Sequence, residues 1–445
     1  MRLKTFSQGG VHPRELKLSA GKKIEILPPP ETVIIPVSQH LGAPSKVLVE
    51  KMADVKTGQL IAKSDGFIST NIHASVSGKV LKIDDFTDTS GYRRKGIQIK
   101  VSGDEWEEGI DRSDDLVKEF SFTSEEIRNK ILEAGIVGLG GATFPSHVKL
   151  MVPKGKSAEY MIINGVECEP YLTADHALMM ERGEQLVVGI KIMMKGLGVE
   201  KAILGIEANK PDAIQKMKSL TEQEKNIHVR GLKVRYPQGG EKQLIQALLN
   251  RRVPGGGLPI DVGVVVFNVG TVYAAYEAVQ KNKPLIERVV TVTGKSLREP
   301  SNFLVRIGTP VSYLIEKCGG LPADTGKVIS GGPMMGKALT SLEVPIVKGS
   351  SGILLMQESE SHRKEILPCI RCSKCISACP MGLEPYLLMA LGKNALFERM
   401  EEEKVLDCIE CGSCSYVCPS ARPLLDYIRF GKAEVNKLIR SRKAI

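Results

Sequence analysis

Aromatic side chains make up only 5% of the 445 residues, with a single tryptophan. No run approaches the roughly 18 apolar residues that a bilayer-crossing helix needs. The first scarcity argues against nucleic-acid binding, which calls for aromatic platforms interleaved with basic residues. The second leaves stretches such as Val262 to Val269 to be read as buried strands. The opening, MRLKTFSQGGVHP, lacks an apolar core segment and a small-residue cleavage site, so no export is expected and the chain reads as cytoplasmic or peripheral to a membrane. Acidic residues are also short, 51 against 61 basic, a formal charge of +10 whose clearest concentration is Lys432 to Lys443. That excess reads as a solvated terminal helix, with acidic lipid or an acidic partner as the alternative.

Cysteine is what the chain has in a meaningful arrangement. Eight of ten fall into two copies of one spacing, Cys369-x-x-Cys372-x-x-Cys375-x-x-x-Cys379-Pro380 and Cys408-x-x-Cys411-x-x-Cys414-x-x-x-Cys418-Pro419. Two-residue gaps let three thiolates curl over three irons of a cubane, and the cysteine before proline reaches the other cube. The expectation is two 4Fe-4S clusters, one on Cys369, Cys372, Cys375 and Cys418, the other on Cys408, Cys411, Cys414 and Cys379. Structural zinc takes cysteines in separated pairs and has no use for the third thiolate, while a disulfide framework needs an exported chain. Cys318 reads as a small buried hydrophobe.

A chain this long exceeds one core and suggests several domains. Short strands with turns from Ile24 to Val101, Gly66 to Ser69 among them, mark an all-β unit expected over 1–105. The stretch His73 to Val80 resembles the biotinyl/lipoyl barrel-sandwich fold, but the position of the modified lysine falls near Ser69, Thr70 and Asn71, where no lysine stands. An acidic linker, Asp104 to Asp115, leads to Thr123-Ser-Glu-Glu126, a capping box. Over 120–285 strands and helices then alternate, with one long helix expected from Ala174 to Lys195, which is α/β with a mostly parallel sheet. A β-grasp unit is expected over 286–350, a helical double-cluster domain over 359–430 and a basic tail over 431–445.

The second chemical signal is Gly138-Leu-Gly140-Gly141-Ala142-Thr-Phe-Pro145 with Lys149. A helix rather than a strand precedes it and Thr143 replaces a third glycine, so it is neither a Rossmann fingerprint nor a P-loop. Its residues still offer backbone N–H groups to an anion. Asn164-Gly-Val-Glu167-Cys168-Glu169-Pro170 follows an apolar run at a strand end, where ligands of α/β sheets bind. Tyr236-Pro-Gln-Gly239-Gly240-Glu241 and Asn268-Val-Gly270-Thr271 supply two more loops of the same kind.

These loops resemble those of the FMN- and NADH-binding subunit of respiratory complex I, which read GRGGAGFP, N-x-D-E-S-E-P, Y-x-x-G-E-E and N-N-V-E-T. The resemblance implies a flavin site at Gly138, Gly140, Gly141, Ala142, Lys149, Asn164, Glu167, Cys168, Tyr236, Gly240, Glu241, Asn268 and Thr271. Leu139, Val166 and Lys242 stand where that family has arginine, aspartate and glutamate, so the nicotinamide contacts do not carry over. The domain order, with Gly10-Val-His-Pro13 at the start and Gly331-Gly-Pro-Met-Met-Gly336 closing the β-grasp unit, is similar to the RnfC family, the C subunits of Rnf complexes, over nearly the whole chain. That family implies FMN, two 4Fe-4S clusters, NAD(H) as substrate, ferredoxin as an indirect partner and peripheral attachment to the cytoplasmic face through membrane subunits. A flavin-free cluster wire or scaffold is the alternative; a soluble diaphorase fits less well because no 2Fe-2S motif is present.

Overall fold

The structure, a computed structural model, describes residues 3–444. Period-two burial builds its first module: in Thr32–Pro36 the side chains of Val33 and Ile35 are fully buried while their neighbours are less so. An antiparallel sheet ordered Thr32–Pro36, Arg93–Val101, Gly78–Thr87, Asp54–Val55 meets a second one, Lys46–Val47, Leu60–Lys63, Ile72–His73. Between them lie Val33, Ile61, Ile72, Val80, Ile97 and Ile99, each such burial contributing about 1.5–3 kcal/mol. The strand expected at Gly66 to Ser69 is absent. That segment is a bend in which the Ala43 N–H donates to the Ile68 carbonyl, 3.0 Å.

The α/β module has four parallel strands in the order Ile227–Leu232, Lys201–Glu207, Tyr160–Asn164, Val264–Asn268. Both faces are covered, which is why the strands read as near-continuous apolar runs. Met161, Ile163, Leu204 and Phe267 face helices Ser124–Glu133, Gly183–Leu197 and Val269–Gln280; Ile162, Ile203 and Val266 face Glu241–Leu249. The capping box forms as expected, with Thr123 and Glu126 exchanging bonds. The single helix expected from Ala174 to Lys195 is instead two, Ala174–Glu181 and Gly183–Leu197. Arg182 leaves the helical region between them, and Gly183 lies where a Cβ would come within 2.5 Å of Leu220 on the packed helix Pro211–Leu220.

The β-grasp unit is a six-stranded mixed sheet: Ile24–Ile26, Ser301–Arg306, Glu287–Gly294, Gly352–Gln357, Thr325–Ser330, Lys337–Ala338. Two of its strands lie outside 286–350. Gly352–Gln357 sits inside the sheet, and Ile24–Ile26 pairs in parallel with Ser301–Arg306. Residues before Ile24 likewise run over other modules, with Val11 pairing with Tyr236 and the Gly10 N–H donating to the Ala378 carbonyl.

Fully buried Lys348 joins three modules. Its ammonium donates to the carbonyls of Asn71 (2.9 Å) in the β-sandwich and Gly135 (2.7 Å) just before the glycine loop. The hairpin tip that bears a modified lysine in biotinyl and lipoyl carriers is here a buried joint: Ser69 and Thr70 are inaccessible and Asn71 also donates to the Glu133 carbonyl. In the cluster domain the connection between cysteine runs forms helices Pro385–Lys393 and Phe397–Glu402, as its Leu, Met and Glu content predicts. The last helix, Leu424–Ala444, continues through 431 without a break and buries Leu424, Ile428 and Val435. Among the described residues no helix is long and apolar enough to cross a membrane.

Candidate flavin and iron-sulfur sites

Strand order reverses between Tyr160–Asn164 and Val264–Asn268. The crevice beyond the carboxyl ends of such a pair is where open α/β sheets bind ligands. Asn164 and Asn268 end the two strands side by side in register. The glycine loop lies over them, closed by a bridge between Val137 and Pro145 and held by Thr271, whose buried hydroxyl accepts the Leu139 N–H at 2.9 Å. Gly140 rests on Asn268, and the Asn268 carboxamide caps the following helix through the Gly270 N–H at 2.8 Å. Among the described residues the N–H groups of Gly140, Gly141 and Ala142 have no protein acceptor. Gly140, Gly141 and Ala142 are all exposed, and Gly141, at φ +108°, has open space where a Cβ would stand. Successive free amides of this kind cradle an anion. Beside them Lys149 pairs with Glu241 at 2.6 Å and lies over the Phe267 ring.

The other sequence-predicted residues surround this crevice in different roles. The Asn164 amide donates to the Gly239 carbonyl, 2.8 Å, and its oxygen accepts from Val166, tying the second loop to the third. The Glu167 carboxylate accepts the N–H groups of Asp175 (2.8 Å) and His176 (3.2 Å), stabilising a helix N-terminus. Gly240 opens helix Glu241–Leu249. Tyr236 and Cys168 turn toward the cluster domain: the Tyr236 hydroxyl donates to the Cys411 carbonyl at 2.8 Å, and both pack with Val11, Ala378 and Cys411. Burial pushes the Cys168 thiol up to about 12.

The two cysteine runs share one backbone. Arg371 and Glu410 are left-handed (φ +54° and +57°), as are Ser373 and Gly412 (φ +59° and +78°), two matched pairs of positions. Short helices Lys374–Ala378 and Ser413–Tyr416 follow. Cys379, from the first run, shares one cavity with Cys408, Cys411 and Cys414 of the second. Burial first, and then the neighbouring Cys418 of the second run, raises the Cys375 thiol of the first. The Glu410 N–H points at Cys408 sulfur and the Leu383 N–H at Cys379 sulfur, each 3.4 Å. Among the described residues no three His, Cys, Asp or Glu side chains converge on a single-ion position. Four thiols around a common cavity instead suit a multi-iron cube, whose sulfurs such amides stabilise.

With that geometry in place, a Clostridium ljungdahlii protein, named as the C subunit of a proton-translocating ferredoxin:NAD(+) oxidoreductase complex, is 52% identical over 435 residues, covering 97% of this chain and 94% of the relative. The chain belongs to this RnfC family. Another member, the C subunit of the Na(+)-translocating complex of Acetobacterium woodii, is 42% identical over 96% of both chains. Family models match throughout: RnfC barrel sandwich hybrid domain at 4–104, Nuo51 FMN-binding domain at 131–277, SLBB domain at 289–338 and 4Fe-4S dicluster domain at 363–419. An NAD+-reducing [NiFe]-hydrogenase in the air-oxidized state shares the fold, at TM-score 0.51 and 16% identity, over 70% of this chain and 66% of that one.

Three residues of this RnfC chain that the motifs do not contain complete the site. Lys17, half-buried, donates to the carbonyls of Glu167, Glu169 and Leu172 at 2.7–2.8 Å and so shapes the loop from below. Asp175 accepts from the Asn268 amide at 2.7 Å; burial and the nearby Glu167 carboxylate raise its pKa to about 7. Arg288, also buried, donates to the Lys348 carbonyl and faces Asp175. No spacing signal marks these residues, since each acts across the fold. The family departures are explained by their surroundings: Leu139 packs against Gly270, and Val166 is inaccessible in the sheet core. Lys242 donates to the Pro254 carbonyl, 3.0 Å.

Proposed function

We propose that this chain is the peripheral NADH-side subunit of a membrane-bound, ion-translocating ferredoxin:NAD oxidoreductase, attached at the cytoplasmic face through partner subunits. It exchanges hydride between NAD(H) and FMN and passes single electrons through two 4Fe-4S clusters. FMN supplies the conversion between a two-electron carrier and one-electron centres. The carrying observation is the run of three free amides at the switch point of the sheet, with Lys149 beside it and a thiol-lined cavity behind the same loops. Gly140, Gly141, Ala142 and Lys149 would hold the flavin phosphate. Glu241 orients Lys149, while Thr271, Asn268, Asn164 and Glu167 hold the loops in place.

Two measurements test this reading. Lys149→Ala and Glu241→Ala should each lower the FMN retained per protein while leaving cluster content unchanged; wild-type flavin content in both would remove the site assignment. In anaerobic EPR of protein reconstituted with iron, sulfide and FMN, cluster reduction by NADH should require FMN. Flavin-free protein with a full complement of clusters would make the chain a wire instead.

A further inference from the structure

The loops that line the crevice on one side press on the cluster domain with the other, and they touch only one of the two thiol sets by hydrogen bond among the described residues. The Tyr236 hydroxyl, on a side chain 2% exposed, donates to the carbonyl of Cys411. Cys168, two residues beyond Val166, packs in the same seam, and the carbonyl of Met334 lies against Gly412. Glu169 fixes that β-grasp turn by accepting the N–H groups of Met334 (3.1 Å) and Met335 (2.8 Å). On the far side, Gly9 is wedged against the carbonyl of Cys379 and Gly10 donates to Ala378. The set Cys379, Cys408, Cys411 and Cys414 is therefore enclosed by the flavin module, the β-grasp turn and the N-terminal segment. In the other set Cys369 and Cys372 are exposed, and Ile366 and Ile370 beside them are 56% and 67% exposed.

Resting on the flavin and cluster reading above, we infer that the two clusters are ordered. The cluster on Cys379, Cys408, Cys411 and Cys414 is the inner one, coupled to the flavin module through Tyr236. The cluster on Cys369, Cys372, Cys375 and Cys418 is the outer one, where electrons pass to or from a second protein. Electron transfer falls off steeply with distance, so the cluster enclosed against the flavin module serves the flavin and the exposed one serves the surface. Tyr236 is a positioning residue. Its O–H holds the Cys411 loop by donating to the Cys411 carbonyl, and so offsets the negative end of that carbonyl beside a centre that gains negative charge on reduction; such surroundings tune cluster potentials.

The test uses the full chain reconstituted with FMN and clusters, titrated with dithionite and followed by EPR, with Cys408→Ser and Cys369→Ser identifying the signals. Tyr236→Phe, which removes one oxygen from a packed ring, should lower the midpoint potential of the signal that Cys408→Ser abolishes and leave the other in place. An aqueous dysprosium chelate should speed relaxation of the signal that Cys369→Ser abolishes and spare the first. A Tyr236→Phe shift confined to the Cys369-dependent signal, no shift at all, or preferential relaxation of the Cys408-dependent signal would each overturn the order. FMN content, measured on the same samples, reports separately on the flavin site, because dithionite reduces clusters without flavin.

Discussion

Gly140 and Gly141 are adjacent in the loop, and the same added methyl group should have very different consequences at each. At Gly140 a Cβ would meet the Asn268 side chain at 3.4 Å, ordinary contact, on a backbone open to any residue. At Gly141 the Cβ meets no atom, but φ is +108°, a conformation whose occupation by alanine costs of order 1–3 kcal/mol. If the loop must hold that conformation to present its amides, the strain appears as lost affinity. At 1.4 kcal/mol per decade, Gly141→Ala should weaken FMN binding by about 5- to 150-fold, with Gly140→Ala within a few-fold of wild type. Fluorescence titration of flavin-depleted protein with FMN reads both constants. Equal losses in the two variants, or a greater loss at Gly140, would refute the idea that backbone strain rather than space governs this loop.

Asp175, raised to about 7 in the fold against an ordinary value of 3.8, contributes stability that is fully present below about pH 4 and lost as pH rises toward 7, because the unfolded chain releases that proton first. Asp175→Asn keeps an acceptor for the Asn268 amide and should raise the thermal midpoint at pH 8 while changing it little at pH 4; a rise of equal size at both would exclude titration as the cause. Gly9→Ala drives a Cβ into the carbonyl of Cys379 at φ +66°, so the N-terminal segment must lift off. The expected result is loss of about half the iron, one of the two cubes, with the Cys408-dependent EPR signal missing; retention of both signals would show that the segment is not needed to hold that cluster.

Periodicity and turn chemistry carried the fold a long way, because local rules act over a few residues. The capping box at Thr123, the apolar run that buries both faces of Tyr160–Asn164 and the helices between cysteine runs are all legible in the sequence. The rules failed where packing overrode them. Arg182 breaks a helix that pattern alone runs straight through, and Gly66 to Ser69 has strand composition but bends around a hairpin tip. Neither reason lies within a few residues of the break.

The chemistry divides along the same line. Cysteine spacing and the glycine loop marked the candidate thiols and the candidate anion cradle, since a cubane and a phosphate impose spacing that shows in sequence. The residue-by-residue resemblance could not separate groups that face the crevice from groups that brace it. Only the tertiary structure decided that Glu167 is spent on a helix terminus, that Tyr236 and Cys168 face a cluster loop, and that Lys17, Asp175 and Lys348 complete the assembly from distant positions. Those assignments depend on which buried donor meets which acceptor, a requirement set by desolvation across the whole molecule and invisible to any local window.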